Sequence, residues 1–299
     1  MRWNLGLAGL SLSWGLVAVL AGALDVGSVP LTFLRLAIAA ATLALVAAVT
    51  GRSRLLGPGS HLLGLVALGC IQAVHWCLFF ETVRRGSVAL AVITFAAAPV
   101  FLAVLAPLVL SERLSNVALG ALVPGVVGIA LVARAGTGAQ SFGWGALACG
   151  IGSALTFSVL LVLSKRLLHA GARPLTVAFW DCLVGGAALA PALLLVAGPR
   201  PTRGAEWAGV LLLGAVLTGL ATLAYEVLLR HVTAQTAGIL TFLEPVSALI
   251  LAWWLLDQSL TPRALVGAAL VLCATAGVVT LEAGEGGIRD AASTIEYVE

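Results

Sequence analysis

The sequence predicts an all-α polytopic membrane protein, with ten transmembrane helices arranged as two inverted five-helix repeats. Three observations carry that expectation. The composition is too apolar for a water-facing fold, the apolar residues fall into ten runs of membrane-crossing length, and the last five runs follow the first five in a common register.

Of the 299 residues, 61% are hydrophobic and 10% are charged, and the mean hydropathy is +1.11. A soluble domain carries about 45–50% apolar and about 25% charged residues. The Ala/Leu/Val/Gly runs are continuous rather than alternating, which points to helices and not to a lipid-facing barrel. The net charge is +3, with Lys165 as the single lysine and no basic tract, so nucleic-acid binding is disfavoured. Cys70, Cys77, Cys149, Cys182 and Cys273 all fall inside apolar runs without CxxC or Cys/His spacing. They read as small buried hydrophobes rather than metal ligands or disulfides, and no metal or cofactor is expected.

Breaking the chain at charged, Gly and Pro clusters gives runs at about 4–24, 29–50, 61–83, 86–110, 114–133, 143–168, 173–197, 206–229, 233–256 and 261–281. Each is roughly 20 residues, enough to cross a hydrocarbon core about 30 Å thick. The connections are short and predict a compact bundle. The polar stretch from Gly284 to Glu299 is expected to be a disordered tail.

A shift of 146 aligns Arg84 with Arg230, Ser87 with Thr233, Ile93 with Ile239 and Pro99 with Pro245. The same shift sets "SERLS" (111–115) over "DQSLT" (257–261), while "PLT" at 30–32 and 174–176 matches at a shift of 144, a two-residue slip that a loop can absorb. A shared register is the signature of duplication. The expected units are residues 1–140 and 141–283, with 284–299 as the tail. Five spans per unit force opposite orientations, the plan of many secondary transporters. Arg2, an apolar run and Ala21-Gly22-Ala23 also resemble a secretory signal. The repeat makes this segment the counterpart of a later helix and favours its retention.

Loop Lys and Arg set orientation. Arg2, Arg52, Arg54, Arg113, Lys165, Arg166, Arg173 and Arg230 fall on the N-terminal side, eight against six for Arg84, Arg85, Arg134, Arg200, Arg203 and Arg263. The bias places both termini in the cytoplasm.

An ionisable side chain at the bilayer centre costs about 2.5–3.5 kcal/mol on insertion scales, so each one asks for a reason. Arg35, Asp181, Glu226 and Glu244 are the candidates for coupling or buried charge, and His75 joins them. Gln72, His75, Trp76 and Phe79 are spaced i, i+3, i+4, i+7 and share one helix face, which lipid cannot hydrogen-bond. Interhelical bonding with aromatic packing is the competing explanation for a cavity wall. Thr218, Thr222 and Tyr225 form a similar face beside Glu226, and the 146 shift sets Tyr225 on Phe79. Thr241 and Glu244 precede Pro245, which, like Pro99, is expected to break its helix and leave backbone groups that need protein or water. Trp14, in "SWG", is a further candidate wall. The expected substrate-facing set is therefore Trp14, Gln72, His75, Trp76, Phe79, Thr222, Tyr225, Thr241 and Glu244. Spans five and ten carry small residues at Ala121/Gly125 and Ala269/Cys273/Gly277, which permit close packing as scaffold or homodimer faces.

"SWG" in the first span, "FLR" (33–35) in the second, Pro99 followed by "SER" (111–113), and "FLEPVSA" (242–248) resemble the drug/metabolite transporter superfamily of EamA type. The similarity runs to about residue 282 and departs at Gln258, where the second repeat often keeps a glutamate like Glu112. The resemblance implies a carrier that exports small metabolites by alternating access, with a cavity between helices one to four and six to nine. The chain is most similar to a bacterial subgroup exporting aromatic amino acids, which implies the inner membrane. Trp76, Phe79 and Tyr225 then offer stacking surfaces, while His75, Gln72 and Glu244 could address the charged ends of an amino acid. A drug or sugar-phosphate/nucleotide-sugar carrier of the same superfamily is the alternative, and a channel is less favoured. No HExxH, GxSxG or paired intramembrane aspartates suggest an enzyme.

Overall fold

The computed structural model describes residues 2–86, 88–95, 97–110, 112, 116–135, 143–195, 199–256, 262–263 and 265–277. The described residues are all-helical, with no strand among them. The tail 284–299, Gln258 and most of "SERLS" lie outside them.

The first half runs α1 (Arg2–Ala23), α2 (Ser28–Val49), two 3₁₀ turns (Ser53–Leu56 and Gly59–His61), α3 (Leu62–Arg85), α4 (Val88–Phe95), α5 (Ala98–Leu110) and α6 (Asn116–Ala135). The second runs α7 (Trp144–His169), α8 (Pro174–Leu189), α9 (Ala192–Leu195), α10 (Gly204–Leu211), a π-helical segment (Leu212–Leu220), α11 (Ala221–Leu229), α12 (Ala234–Leu240) and α13 (Leu243–Leu256). A last helix, α14, covers Leu265–Gly277.

Arg2–Ala23, Ser28–Val49, Ser53–Arg85, Trp144–His169 and Gly204–Leu229 are long and apolar enough to cross a membrane, and α5, α8 and α14 are shorter apolar helices. Proline explains much of the shortening. Pro99, second in α5, has no N–H to donate back into α4, and the chain turns at Ala97 through a bond from its amide to Thr94 O. The run 173–197 is interrupted likewise, because Pro191 follows a turn that ends α8. In the run 233–256 the break falls at Thr241 and Phe242, just ahead of Pro245. Prolines inside α5 (Pro107) and α6 (Pro124) leave those helices unbroken.

Helix α1 packs on α13, α3 on α7 and α8, α5 on α7, and α2 on α8 and the π segment. Glycines allow the closest approaches. A Cβ on Gly15 would stand 2.5 Å from the Ala248 amide, and one on Gly69 would stand 2.6 Å from Val184 Cβ. The periphery is apolar, with Leu63 86% and Leu108 76% exposed, a surface suited to lipid.

Two expectations change here. Ala121 and Gly125 are not free for a partner: both lie in the contact of α6 with Phe242, and Gly128 packs on Gly267 and Val271 of α14. Ala269 and Cys273 do face outward. Of the five cysteines only Cys182 is buried, while Cys70 and Cys273 are exposed on the apolar exterior. Apolar character here marks lipid contact as readily as core.

One end of the bundle is tied by an ion pair. Lys165 Nζ lies 2.9 Å from Glu112 Oε1 and also donates to Val232 O. Glu112 Oε2 accepts the Ala234 amide at 2.9 Å, at the N-terminus of α12, where Thr233 Oγ1 caps the Thr236 amide. Beside it, Trp3 of α1 stacks on His231, with centroids 3.9 Å apart.

Candidate functional site

The polar side chains carried by the apolar helices converge on one cavity of about 80 Å³. Trp14, Arg35, Gln72, His75, Trp76, Phe79, Asp181, Thr222, Tyr225, Glu226, Thr241 and Glu244 all line it. Phe95, Phe157, Leu160, Leu161, Ser164, Leu217 and Thr218 complete the wall.

On α3 the face of Gln72, His75 and Phe79 is buried, whereas Val66 and Val74 on the same helix are exposed. The helix turns its hydrogen-bonding groups to protein because lipid cannot partner them. Gln72 Nε2 donates to Asp181 Oδ2 at 2.7 Å. His75 Nδ1 lies 2.9 Å from Ser153 O, and a carbonyl partner requires the proton to sit on that nitrogen. Its ring is packed among Trp76, Phe157 and Phe95, with centroids 4.9, 5.6 and 6.0 Å away. Gln72 and His75 are thus both engaged with neighbouring helices, although each also lines the cavity.

Arg35, 1% exposed, donates from Nε to Thr218 Oγ1 at 2.9 Å. Its guanidinium lies over Trp76 at 3.8 Å from the centroid, a cation–π contact. Thr218 itself donates to Leu213 O, five residues back, the spacing that a π segment supplies. Among the described residues no ion pair joins Arg35 to Asp181; each takes a neutral partner instead.

On the 146-residue shift Arg35 falls on Asp181 (35 + 146 = 181) and Gln72 on Thr218 (72 + 146 = 218), so the bonded pair Arg35–Thr218 falls on the bonded pair Asp181–Gln72. Glu226 has no such counterpart: its Oε1 accepts from Ser164 Oγ at 2.8 Å, and its equivalent position holds Phe80. Thr241 back-bonds to Gly238 O and its carbonyl accepts the Glu244 amide, bracketing the turn between α12 and α13. Trp14 and Tyr225 form a tilted aromatic pair, centroids 5.4 Å apart.

Five polar atoms in the wall are buried without a hydrogen-bond partner among the described residues: Arg35 Nη1, Trp76 Nε1, Tyr225 Oη, Asp181 Oδ1 and Glu226 Oε2. An unpaired buried polar group costs about 1–3 kcal/mol by mutational measures, so a cluster of five around one cavity calls for a partner. The cavity offers donors and acceptors together with flat aromatic surface.

Thr218 is legible in the sequence as part of the Thr218/Thr222/Tyr225 face. Phe157 and Ser164, at i and i+7 on α7, share a helical spacing that marks one face but lack a charge to draw notice. Phe95 carries no such pattern.

The sequence profile of the EamA-like transporter family matches residues 1–134 and again 143–280. An uncharacterized transporter of Archaeoglobus fulgidus is 28% identical over 217 residues, covering 72% of this chain and 74% of that protein. A solved structure described as "Crystal structure of protein" has the same fold, with a TM-score of 0.79 at 21% identity, covering 95% of this chain and 97% of the other. Two matches spanning nearly the whole chain, over a bundle of apolar helices around a cavity of aromatic and polar side chains, decide the matter: the chain belongs to the EamA-like transporter family.

Proposed function

We propose that the chain is a secondary carrier of the inner membrane, with both termini cytoplasmic, exporting amino acids with aromatic side chains by alternating access. The observation that carries this reading is the set of unpartnered atoms around the cavity. Arg35 Nη1 and Trp76 Nε1 are donors suited to a carboxylate, while Asp181 Oδ1 and Glu226 Oε2 are acceptors suited to an ammonium. Trp14, Tyr225, Trp76 and Phe157 supply surfaces for an aromatic ring. His75 and Gln72 then act as supports rather than ligands, since Ser153 and Asp181 hold them.

Alternating access rests on a ten-crossing reading with two inverted halves, 1–140 and 141–283. The double family match and the register-related hydrogen bonds support it. So does the packing: α1 lies on α13 as α7 lies on α5, and α3 lies on α8 as the π segment lies on α2. A sugar-phosphate substrate is less well served, because Arg35 is the one Lys or Arg in the cavity wall among the described residues.

Transport into proteoliposomes tests the reading. Radiolabelled phenylalanine should be taken up in preference to threonine, and Trp76→Ala should reduce that preference by about two- to tenfold, the worth of one aromatic contact. Equal rates for the two amino acids would overturn the aromatic assignment.

A further inference from the structure

We propose that the cavity also binds aromatic monoamines, arylalkyl ammonium ions that lack a carboxylate, and that it discriminates against the corresponding aryl carboxylates. The inference rests on the same cavity as the proposed function and asks which end of an amino acid the site requires.

The charge inventory of the wall is uneven. Asp181, Glu226 and Glu244 share the wall with Arg35, so with these four ionised and His75 neutral the described wall sums to −2 (−3 + 1). The acids are held by neutral donors, Gln72 for Asp181 and Ser164 for Glu226. Among the described residues no side-chain ion pair reaches any of the three. A carboxylate removed from water and met by neutral donors is short of positive charge. Arg35 is better provided: Thr218 accepts from its Nε and the Trp76 face covers its guanidinium. The cation has an aromatic face besides its neutral partner, with Nη1 left over, whereas Asp181 and Glu226 have a single neutral donor each.

A ligand ammonium answers that deficit. It brings three donors, enough for Asp181 Oδ1 and Glu226 Oε2 together, on the neighbouring helices α8 and α11. A zwitterion brings the same ammonium and no net charge. A bare aryl carboxylate can take Arg35 Nη1 and Trp76 Nε1 as donors, but it adds a negative charge to a wall that already carries three acids against one guanidinium. The aromatic ring packs in the same way in all three. The ammonium is therefore the required end of the substrate and the carboxylate the dispensable one.

Direct binding of radiolabelled phenethylamine, phenylalanine and 3-phenylpropionate to the purified full-length protein in detergent tests this. Phenethylamine should bind with a Kd at least about tenfold below that of 3-phenylpropionate, a difference of about 1.4 kcal/mol. Glu226→Gln, which keeps an acceptor for Ser164, and Asp181→Asn should each weaken phenethylamine at least about tenfold and 3-phenylpropionate by less than about twofold. Should either variant fail to fold, the comparison of the three ligands on the unaltered chain still decides. Phenylalanine binding with phenethylamine no tighter than 3-phenylpropionate overturns the inference and leaves the amino-acid reading standing. Phenethylamine binding without phenylalanine binding overturns the amino-acid reading and sustains the inference. Binding of none of the three overturns both.

Discussion

Lys165 on α7 and Glu112, which follows α5, form an ion pair 2.9 Å long whose side chains are only 4% and 12% exposed. Glu112 uses its second oxygen on the Ala234 amide, and Lys165 reaches the Val232 carbonyl, so the pair ties both halves of the chain to the start of α12. Removing one member of a buried pair strands the other, a loss of about 3–5 kcal/mol in well-buried cases. Glu112→Gln should therefore lower the melting temperature of the detergent-purified protein by several degrees. Combining it with Lys165→Met should restore part of that loss, because no buried charge is then left alone. A double variant that melts below both single ones would contradict this account.

The register-related bonds make a matched pair of predictions. Thr218→Val removes the acceptor for Arg35 Nε, and Gln72→Leu removes the donor to Asp181 Oδ2. Each leaves a buried charged group less satisfied, at a cost of about 1–3 kcal/mol. The two variants should lose similar amounts in chemical denaturation, and a large imbalance would show that one contact is incidental.

Tyr225 separates ligand contact from stability. Its hydroxyl is buried without a partner among the described residues, so Tyr225→Phe removes an unsatisfied group and keeps the ring against Trp14. The melting temperature should hold or rise, while phenylalanine affinity in a binding assay should fall by about two- to tenfold, the worth of one hydrogen bond. Lost stability with unchanged affinity would remove Tyr225 from the binding surface.

Close approach of α1 to α13 yields a control built into the same helix. Gly15 faces the backbone of Ser247 and Ala248 with no space for a Cβ, whereas a Cβ on Gly9 meets nothing within 4 Å. Gly15→Ala should destabilise by about 1–3 kcal/mol through overpacking against atoms that cannot rotate away. Gly9→Ala, measured in the same thermal melts, should be neutral or slightly stabilising, since alanine favours helix.

Much of the cavity wall is legible in the amino-acid sequence, for a simple reason. Gln72, His75, Trp76 and Phe79 break the apolar rule on one helix face, and a bilayer penalises such exceptions. What the spacing does not supply is the partner across the bundle. That Ser153 O receives His75, or that Gln72 serves Asp181, depends on which helices pack, and no local pattern encodes it. The correspondence of Arg35 with Asp181 lies in plain view at a shift of 146, yet alignment by identity passes over a cation matched to an anion. The π segment at Leu212–Leu220 leaves no composition signal, although its Gly214 and Gly219 lie close against α2. Small residues mislead for the opposite reason: spacing announces that Gly125 can be closely approached, but not that Phe242 of the same chain does so.

Arg35 and Asp181 coincide on a shift of 146, both line the cavity, and they carry opposite signs. Like charges at those two places would give both halves of the chain the same sign in the wall. Opposite charges instead give the cavity a built-in electric polarity from one half of the chain to the other. A bound molecule with separated charges then has one preferred heading where a fully symmetric duplicate would offer two equivalent ones.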